Sequence, residues 1–417
     1  VTTRAKDHAG SYHDLLGLHH SMLLRRSMRG EGPARDERTA SAAALLAAWP
    51  QRVDDQRLLR ESLALLEPLT DTLTHLYVAL FRDGPHLRSL FPESLAAQRD
   101  RFAWSARQLI EGLDRPEAVV SVFEELGRAH RKLGVRASHY QPFGAALLEA
   151  LRSRAGAGWR VEHDEAWSRA YRFLAAVMSA AAAGELSEPP YVTGTVVHHE
   201  RRGADLAVLR VRTTGPYGYR AGQYATVASG RLPHTWRSYS MANPPDGDGV
   251  LEFHVRATGA GRLSDVLVHA TAVGDALRLG PARGATTLAD ASAGPVLLAA
   301  GGTGLAPIRA LLGELARSVD PPPTWLFVGA RTRDELYDLD ALRAFAHRLP
   351  WLRLVPAVSH GAAGPYEFGT LVDVVPRHRA WAGHDAYLAG PAGMVTALAD
   401  RLTEVGVDRA RIRYDRQ

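Results

Sequence analysis

The spacing of apolar and polar positions changes twice along the chain. Between 55 and 186 apolar residues recur three and four apart: Leu58, Leu59, Leu63, Leu65 and Leu66, then Leu73, Leu76, Tyr77, Leu80 and Phe81. That period predicts amphipathic helices, and it continues through Val119 to His130, Tyr140 to Leu151 and Trp167 to Met178. Breakers at Asp83-Gly84-Pro85 and Gly156 to Gly158 separate the helical stretches. No strand pattern intrudes, so an all-α domain of ordinary size is expected. Glu188-Pro189-Pro190 reads as a hinge. Beyond it, alternation takes over in Val192 to Val197, Leu206 to Val211, Gln223 to Val227 and Leu251 to Val255. Short strands among Gly and Pro turns predict a small antiparallel β-barrel over 190–289. From 293 to 417 the order is strand, Gly-rich turn, helix, strand, helix. Val296 to Ala300, Gly301 to Gly304, Pro307 to Leu315 and Trp325 to Val328 carry it. This is the signature of an α/β domain with a parallel sheet.

Residues 1–54 are polar and rich in Arg and His, with Gly-Glu-Gly-Pro at 30 to 33, and are expected to form a poorly ordered extension. Leu15 to Met28 is a basic amphipathic helix candidate, read as solvated or docked rather than laid on a membrane. A chain of 417 residues is too long for one core, which supports a multidomain reading. The formal net charge is +5 with no clustered basic stripe, so no nucleic-acid partner is expected. No apolar run reaches the roughly 20 residues a membrane span needs. The Ala-rich stretch Ser41 to Trp49 follows a mixed-charge segment and is not read as a signal peptide, which leaves a cytoplasmic protein as the default. The chain contains 0 cysteines. Disulfides, thiolate nucleophiles, Cys-bound zinc, iron–sulfur clusters and thiolate-ligated haem are therefore excluded.

Gly302, Thr303 and Gly304, followed by Pro307, lie between a predicted strand and a predicted helix. Glycines there let the backbone approach a diphosphate, and the helix N-terminus offers free N–H groups. Alone, this is equally a structural turn. Upstream, however, stands Trp236-Arg237-Ser238-Tyr239-Ser240, and downstream stands Leu388-Ala389-Gly390-Pro391-Ala392-Gly393-Met394. In this order the three motifs resemble the ferredoxin–NADP reductase superfamily over about 190 to 417. The resemblance implies FAD and NAD(P)H as cofactors. It implies that Arg237 forks onto the flavin pyrophosphate, Tyr239 lies along the ring system and Ser240 bonds near its reactive nitrogen. Gln223 and Tyr224 would line the flavin, and Gly261 to Ser264 would form a second phosphate turn. Gly390 and Pro391 would complete the coenzyme site. Arg331 and Arg333 follow a buried-type strand where a 2′-phosphate would sit, whereas adjacent Asp334 and Glu335 would suit ribose hydroxyls. The choice leans to NADPH, with NADH open. The family often ends on an aromatic that shields the flavin; if Tyr414 only ends the last strand, that flavin face is open.

The helical region carries a second ordered set: Leu90-Phe91-Pro92, Gln98-Arg99-Asp100-Arg101-Phe102, His130 near the end of a helical stretch, and Tyr140. One histidine among 18 is ordinarily a surface residue. Together with the reductase motifs, however, this set resembles flavohaemoglobins over about 55 to 417. The implied architecture is an all-α globin, 55–186, then an antiparallel β-barrel FAD domain, 190–289, then an α/β parallel-sheet NAD(P) domain, 293–417. The resemblance makes His130 the proximal ligand of haem b iron, and Tyr77, Gln98 and Tyr140 its catalytic neighbours. Phe91 would wedge the haem, and Phe102 stands where a leucine is more usual. The family also places a glutamate near the proximal histidine; here Ala182 occupies that position, and Glu185 follows three residues on. Without such a carboxylate the imidazole donates less electron density.

The implied activity is NAD(P)H-dependent nitric oxide dioxygenation, with electrons passing from coenzyme to FAD to haem and nitric oxide oxidised by dioxygen to nitrate. An oxidoreductase with another oxygenation substrate, or an oxygen or redox sensor using the extension as its output contact, are the alternatives. Small molecules are the expected partners, a monomer is the default, and the sequence does not specify the oligomeric state.

Overall fold

The structure, a computed structural model, describes residues 53–92, 94–184, 189–259, 261–288, 294–361 and 364–415. The Leu15 to Met28 helix and Glu185 lie outside the described residues. The chain divides into two compact units between Pro190 and Tyr191.

The described part of the first unit is helical: α1 (Val53–Leu66), α2 (Leu69–Asp83), a 3-10 turn (Pro85–Leu90), α3 (Ala96–Glu111), α4 (Pro116–Arg131), α5 (Tyr140–Ala155) and α6 (Val161–Ala183). In α2 the buried residues Leu69, Leu73, Leu76, Tyr77 and Leu80 form one stripe. Each fully buried leucine contributes roughly 1.5–3 kcal/mol. The helix ends where Gly84 and Pro85 interrupt it. Helix α4 opens with Pro116, whose missing N–H is harmless in a first turn, and closes with Arg128, His130 and Arg131 against the negative end of its dipole. One apolar cluster joins α2 to α5 through Leu76, Leu80, Leu147 and Leu151. Another joins α1, α4 and α6 through Leu58, Val119, Phe173 and Val177. At the α4–α6 crossing a side chain on Gly127 would lie 2.2 Å from the Met178 carbonyl oxygen. The two backbones are therefore in contact there, one turn before His130.

The second unit begins with an antiparallel sheet of β1 (Val192–Arg201), β2 (Leu206–Thr213), β3 (Tyr224–Ser229), β4 (Trp236–Ser240), β5 (Val250–Arg256) and β6 (Ala276–Leu279). Its order is β4-β3-β6-β1-β2-β5. A bridge between Met241 and Phe253 links the ends, so the sheet curls into a near-barrel. Leu209, Val211, Val227, Leu251, Phe253 and Val255 fill it. Strand β4 has no alternation of apolar and polar residues and β6 has only four residues, so neither registers as a strand in the sequence.

A parallel sheet follows, of β7 (Val296–Gly301), β8 (Thr324–Ala330), β9 (Leu352–Val358), β10 (Glu367–Phe368), β11 (Asp385–Ala389) and β12 (Ile412–Arg413). Helices α7 (Leu305–Leu315), α8 (Leu339–His347), α9 (Leu371–His378) and α10 (Ala392–Glu404) alternate with these strands. Val296, Leu298 and Ala300 enter one core, and Leu297 and Ala299 enter the other. A strand buried on both faces needs an unbroken apolar run, as its sequence has. The order β10-β9-β8-β7-β11-β12 reverses direction between β7 and β11. Ligands of open α/β sheets bind at the carboxyl ends of the strands beside such a reversal.

Candidate functional site

At that reversal two glycine turns meet. A Cβ on Gly304 would stand 2.3 Å from the Ala389 carbonyl carbon and 2.4 Å from the Gly390 nitrogen. A Cβ on Gly390, whose φ is +150°, would lie 3.0 Å from the Gly301 oxygen. Only glycine permits this backbone-to-backbone contact. It sets the N-termini of α7 and α10 side by side, with Gly302 and Thr303 in the first turn and Pro391 at the second. Two adjacent helix N-termini on glycine backbone suit a pyrophosphate. Pro307 is buried within the first turn of α7.

The two arginines after β8 part company. Arg331 pairs with Glu335 through contacts of 2.6 and 3.2 Å, and its guanidinium holds that carboxyl below the usual range. Arg333 instead lies 5.2 Å over the Tyr366 ring, which Arg343 also approaches to 5.2 Å. Tyr366 and Arg343 carry no local motif, and only the folding of β10 and α8 around β8 brings them to Arg333.

In the barrel, Arg237 and Tyr239 stand two apart on β4, opposite Val227 and Ala225 of β3. Arg237 is 8% exposed. Burial pushes the Tyr239 hydroxyl well above its ordinary pKa, with the Arg237 charge opposing. Ser240 pairs across the sheet with Tyr224. The Gln223 side chain is engaged locally: its carbonyl accepts from Arg220 N at 2.8 Å and its amide donates to Gly284 O at 3.2 Å. Its place is therefore to hold the turn before β3. Gly261 has φ +76° and open space where a side chain would stand. The buried Ser264 oxygen accepts from Thr258 N at 3.2 Å, closing the loop around that glycine. Tyr414 follows β12, packs on the second core cluster and receives Arg409 on its hydroxyl at 2.6 Å.

In the helical unit Tyr77 is 3% exposed. Phe91 meets it edge-on at 5.5 Å, and Phe81 stacks on it at 5.9 Å. Burial raises the hydroxyl's pKa well above its ordinary value, while Arg99 and a hydrogen bond from Gln98 oppose the shift. The Gln98 Oε1 atom is buried without a hydrogen-bond partner. A spare buried acceptor beside a buried hydroxyl fits a pocket that is completed by a bound group. Phe102, one turn beyond Gln98, lies 6.1 Å from Phe143. His130 stands 6.4 Å ring to ring from Tyr140. Burial pushes the Tyr140 hydroxyl up to about 12, and its carbonyl accepts from the Tyr171 hydroxyl at 2.6 Å. Ala182 sits in the last turn of α6 and offers no carboxylate. Among the described residues no group of three or more His, Cys, Asp or Glu is gathered to hold a metal. A single imidazole with the remaining ligands from a porphyrin is the arrangement this donor set can support. Among the described residues no helix is long and apolar enough to cross a membrane.

Comparison with known proteins agrees with this division. Residues 74–178 match the globin family, 193–287 the oxidoreductase FAD-binding domain and 298–400 the oxidoreductase NAD-binding domain. A flavohemoprotein of Chromobacterium violaceum is 25% identical over 82% of this chain and 92% of its own length. The ferredoxin–NAD(P)+ reductase component of the naphthalene 1,2-dioxygenase/salicylate 5-hydroxylase systems of Ralstonia sp is 34% identical over 54% of this chain and 68% of its own. The crystal structure of flavohemoglobin from Malassezia yamatoensis, with bound FAD and heme, superposes with a TM-score of 0.67 at 16% identity. It covers 87% of this chain and 98% of that one. Fold and sites thus define a globin joined to a flavin- and coenzyme-binding oxidoreductase. The chain carries globin, FAD-binding and NAD-binding oxidoreductase domains in one polypeptide and is similar to flavohemoproteins over most of its length, with haem, FAD and a nicotinamide coenzyme as cofactors.

Proposed function

We propose that the chain is a nitric oxide dioxygenase. Two nitric oxide, two dioxygen and one NAD(P)H would give two nitrate, one NAD(P)+ and a proton. The observation that carries this reading is the buried Tyr77–Gln98 pair within the aromatic wall of Phe81 and Phe91. When bound, haem supplies an iron for dioxygen, and FAD converts a two-electron hydride into single electrons. Tyr77 keeps its proton because burial raises its pKa. Its hydroxyl would thus be a donor to a negatively polarised small ligand in this pocket, and Gln98 would orient it. Phe81 and Phe91 exclude water, which strengthens that donor. His130 would hold the iron, and Tyr140 would pack beside its ring. Arg237 and the Gly261 turn would bind the flavin phosphates, and the paired turns at Gly304 and Gly390 the coenzyme pyrophosphate. The test is nitric oxide consumption by the purified holoprotein. Loss that requires both dioxygen and NAD(P)H and yields equimolar nitrate supports the reading. Rapid haem reduction without nitrate formation overturns it.

A second reading is an oxygenase reaction on another substrate. The reductase half is 34% identical to an oxygenase reductase component, against 25% for the flavohemoprotein over most of the chain. Ala182 offers no carboxylate to the proximal side. Dioxygen uptake that is stimulated by an aromatic compound but not by nitric oxide would favour it.

A further inference from the structure

Strand β5 is buried on both faces. Leu251, Phe253 and Val255 fill the barrel. Glu252 and His254 alternate with them and are nonetheless only 6% and 3% exposed. Their side chains meet polar groups from the coenzyme-binding part of the same unit. His254 Nε2 is 3.1 Å from Glu252 Oε1, and Nδ1 is 2.8 Å from the Tyr337 hydroxyl. Glu252 also accepts from Arg210 Nε of β2 at 2.8 Å, and the Arg309 guanidinium of α7 stands 3.7 Å away. Arg309 in turn donates to buried Asp338, which Arg202 approaches to 4.0 Å. These residues, with His198 and Glu200 of β1, line a cavity of about 50 Å³. That is room for a water or two, through which a proton can reach the imidazole.

The direction of these hydrogen bonds follows from charge. Burial pushes the Glu252 carboxyl up, but the His254 hydrogen bond, Arg210 and Arg309 outweigh it and hold the pKa at about 2. Glu252 is therefore a carboxylate and can only accept, so His254 Nε2 carries the hydrogen. In the neutral ring Nδ1 is then an acceptor, and the Tyr337 hydroxyl donates to it. Burial drives the imidazole below its ordinary pKa; Glu252 opposes this, and the Arg309 and Arg202 charges add to it. A second proton, on Nδ1, would turn away the Tyr337 hydrogen and set a further cation beside Arg309 and Arg202.

Tyr337 and Asp338 follow directly on the segment that carries Arg331, Arg333 and Glu335, and Arg309 lies on the helix that opens at the Gly302 turn. We propose that His254, held between Tyr337 and Glu252, is a positioning residue for flavin reduction: its neutral form docks the coenzyme-binding segment 331–340 on the flavin barrel, and uptake of one proton undoes that docking. The proposal depends on hydride transfer from coenzyme to flavin and not on what the globin unit oxidises.

The test is stopped-flow reduction of the full-length, FAD-loaded protein by NADH or NADPH between about pH 5 and pH 8. In the parent the rate falls on the acid side by up to about tenfold per pH unit, the limit for one proton. His254→Gln keeps a donor toward Glu252 and cannot be protonated, so the acid limb disappears. Tyr337→Phe removes the group that the proton displaces; the limb moves to higher pH by about 0.5–1 unit, the worth of one hydrogen bond. A readout without cofactor accompanies these. The unfolded chain takes up a proton as pH falls through about 6.5, while the folded chain resists it. The stability linked to His254 is therefore present above that pH and lost below it. The melting temperature of FAD-free parent should fall more between pH 8 and about pH 5 than that of His254→Gln. Should His254→Gln not fold, Tyr337→Phe alone decides. An acid limb at the same pH in Tyr337→Phe and parent overturns the proposal, as does a limb retained in folded His254→Gln.

Discussion

The proposed coenzyme site and the proposed haem site are built in opposite ways. The first is made of backbone: Gly301, Gly304 and Gly390 let two turns touch, and the helix N-termini beyond them would supply the chemistry. The second is made of side chains on separate helices: Tyr77 from α2, Gln98 from α3, His130 from α4 and Tyr140 from α5. A backbone site tolerates almost no added atom. A side-chain site tolerates replacement of one member while its fold persists, and loses one property at a time. The two should therefore fail differently under substitution.

The largest effect is expected at the proposed metal ligand. His130→Ala should abolish stable haem incorporation, read as loss of haem absorbance, while FAD content and FAD reduction by NAD(P)H are kept. Haem bound at the parent stoichiometry in the variant would remove His130 from that role. In the backbone site, Gly304→Ala places a methyl group within 2.4 Å of three main-chain atoms that cannot yield cheaply. Overpacking of this kind should destabilise the coenzyme-binding part by about 1–3 kcal/mol or more. Thermal unfolding and the loss of coenzyme-driven FAD reduction would report it. A stable variant with parental kinetics would mean that the two turns are not in contact.

Smaller effects discriminate within each site. Tyr77→Phe keeps the ring against Phe81 and Phe91 and deletes the donor. A loss of about 1–3 kcal/mol should speed dioxygen dissociation from the ferrous protein by roughly ten- to a hundredfold. FAD reduction should not change. An unchanged off-rate would make Tyr77 a packing residue. The smallest effect separates two arginines that look equivalent in sequence. Arg331 is committed to Glu335, whereas Arg333 lies on Tyr366 with Arg343. Arg333→Ala should raise the KM for NADPH by about three- to tenfold, with little change for NADH. Arg331→Ala should alter both coenzymes alike, by less than about threefold. Equal responses from the two variants would collapse the distinction.

The contrast also explains what could be read without coordinates. Glycines imposed by backbone contact leave a local mark, so Gly302 to Gly304 and Gly390-Pro391 were recognisable as turns from a few consecutive letters. The helical period identified the stripe of α2 that buries Tyr77, and alternation identified most of the barrel. Strands β4 and β6 escaped because Trp236 to Ser240 does not alternate and Ala276 to Leu279 has only four residues, and their existence depends on the partners they pair with.

Local sequence thus determined the class of each region, the order of the three folds, the glycine turns and the residue types available to bind haem, flavin and coenzyme. Absence of cysteine also narrowed the iron ligand to another side chain. Tertiary structure alone decided the partners. It joined Gly304 to Gly390 across 86 positions of chain, tied Arg331 to Glu335 while sending Arg333 to Tyr366, and spent the Gln223 amide on Gly284. It buried Glu252 and His254, which alternation assigns to solvent, beneath Arg309 and Tyr337. The physical reason is that periodicity reports only which face of a strand or helix is apolar. Whether a polar face meets water or another polar surface depends on the element that packs over it, and that element lies elsewhere in the chain.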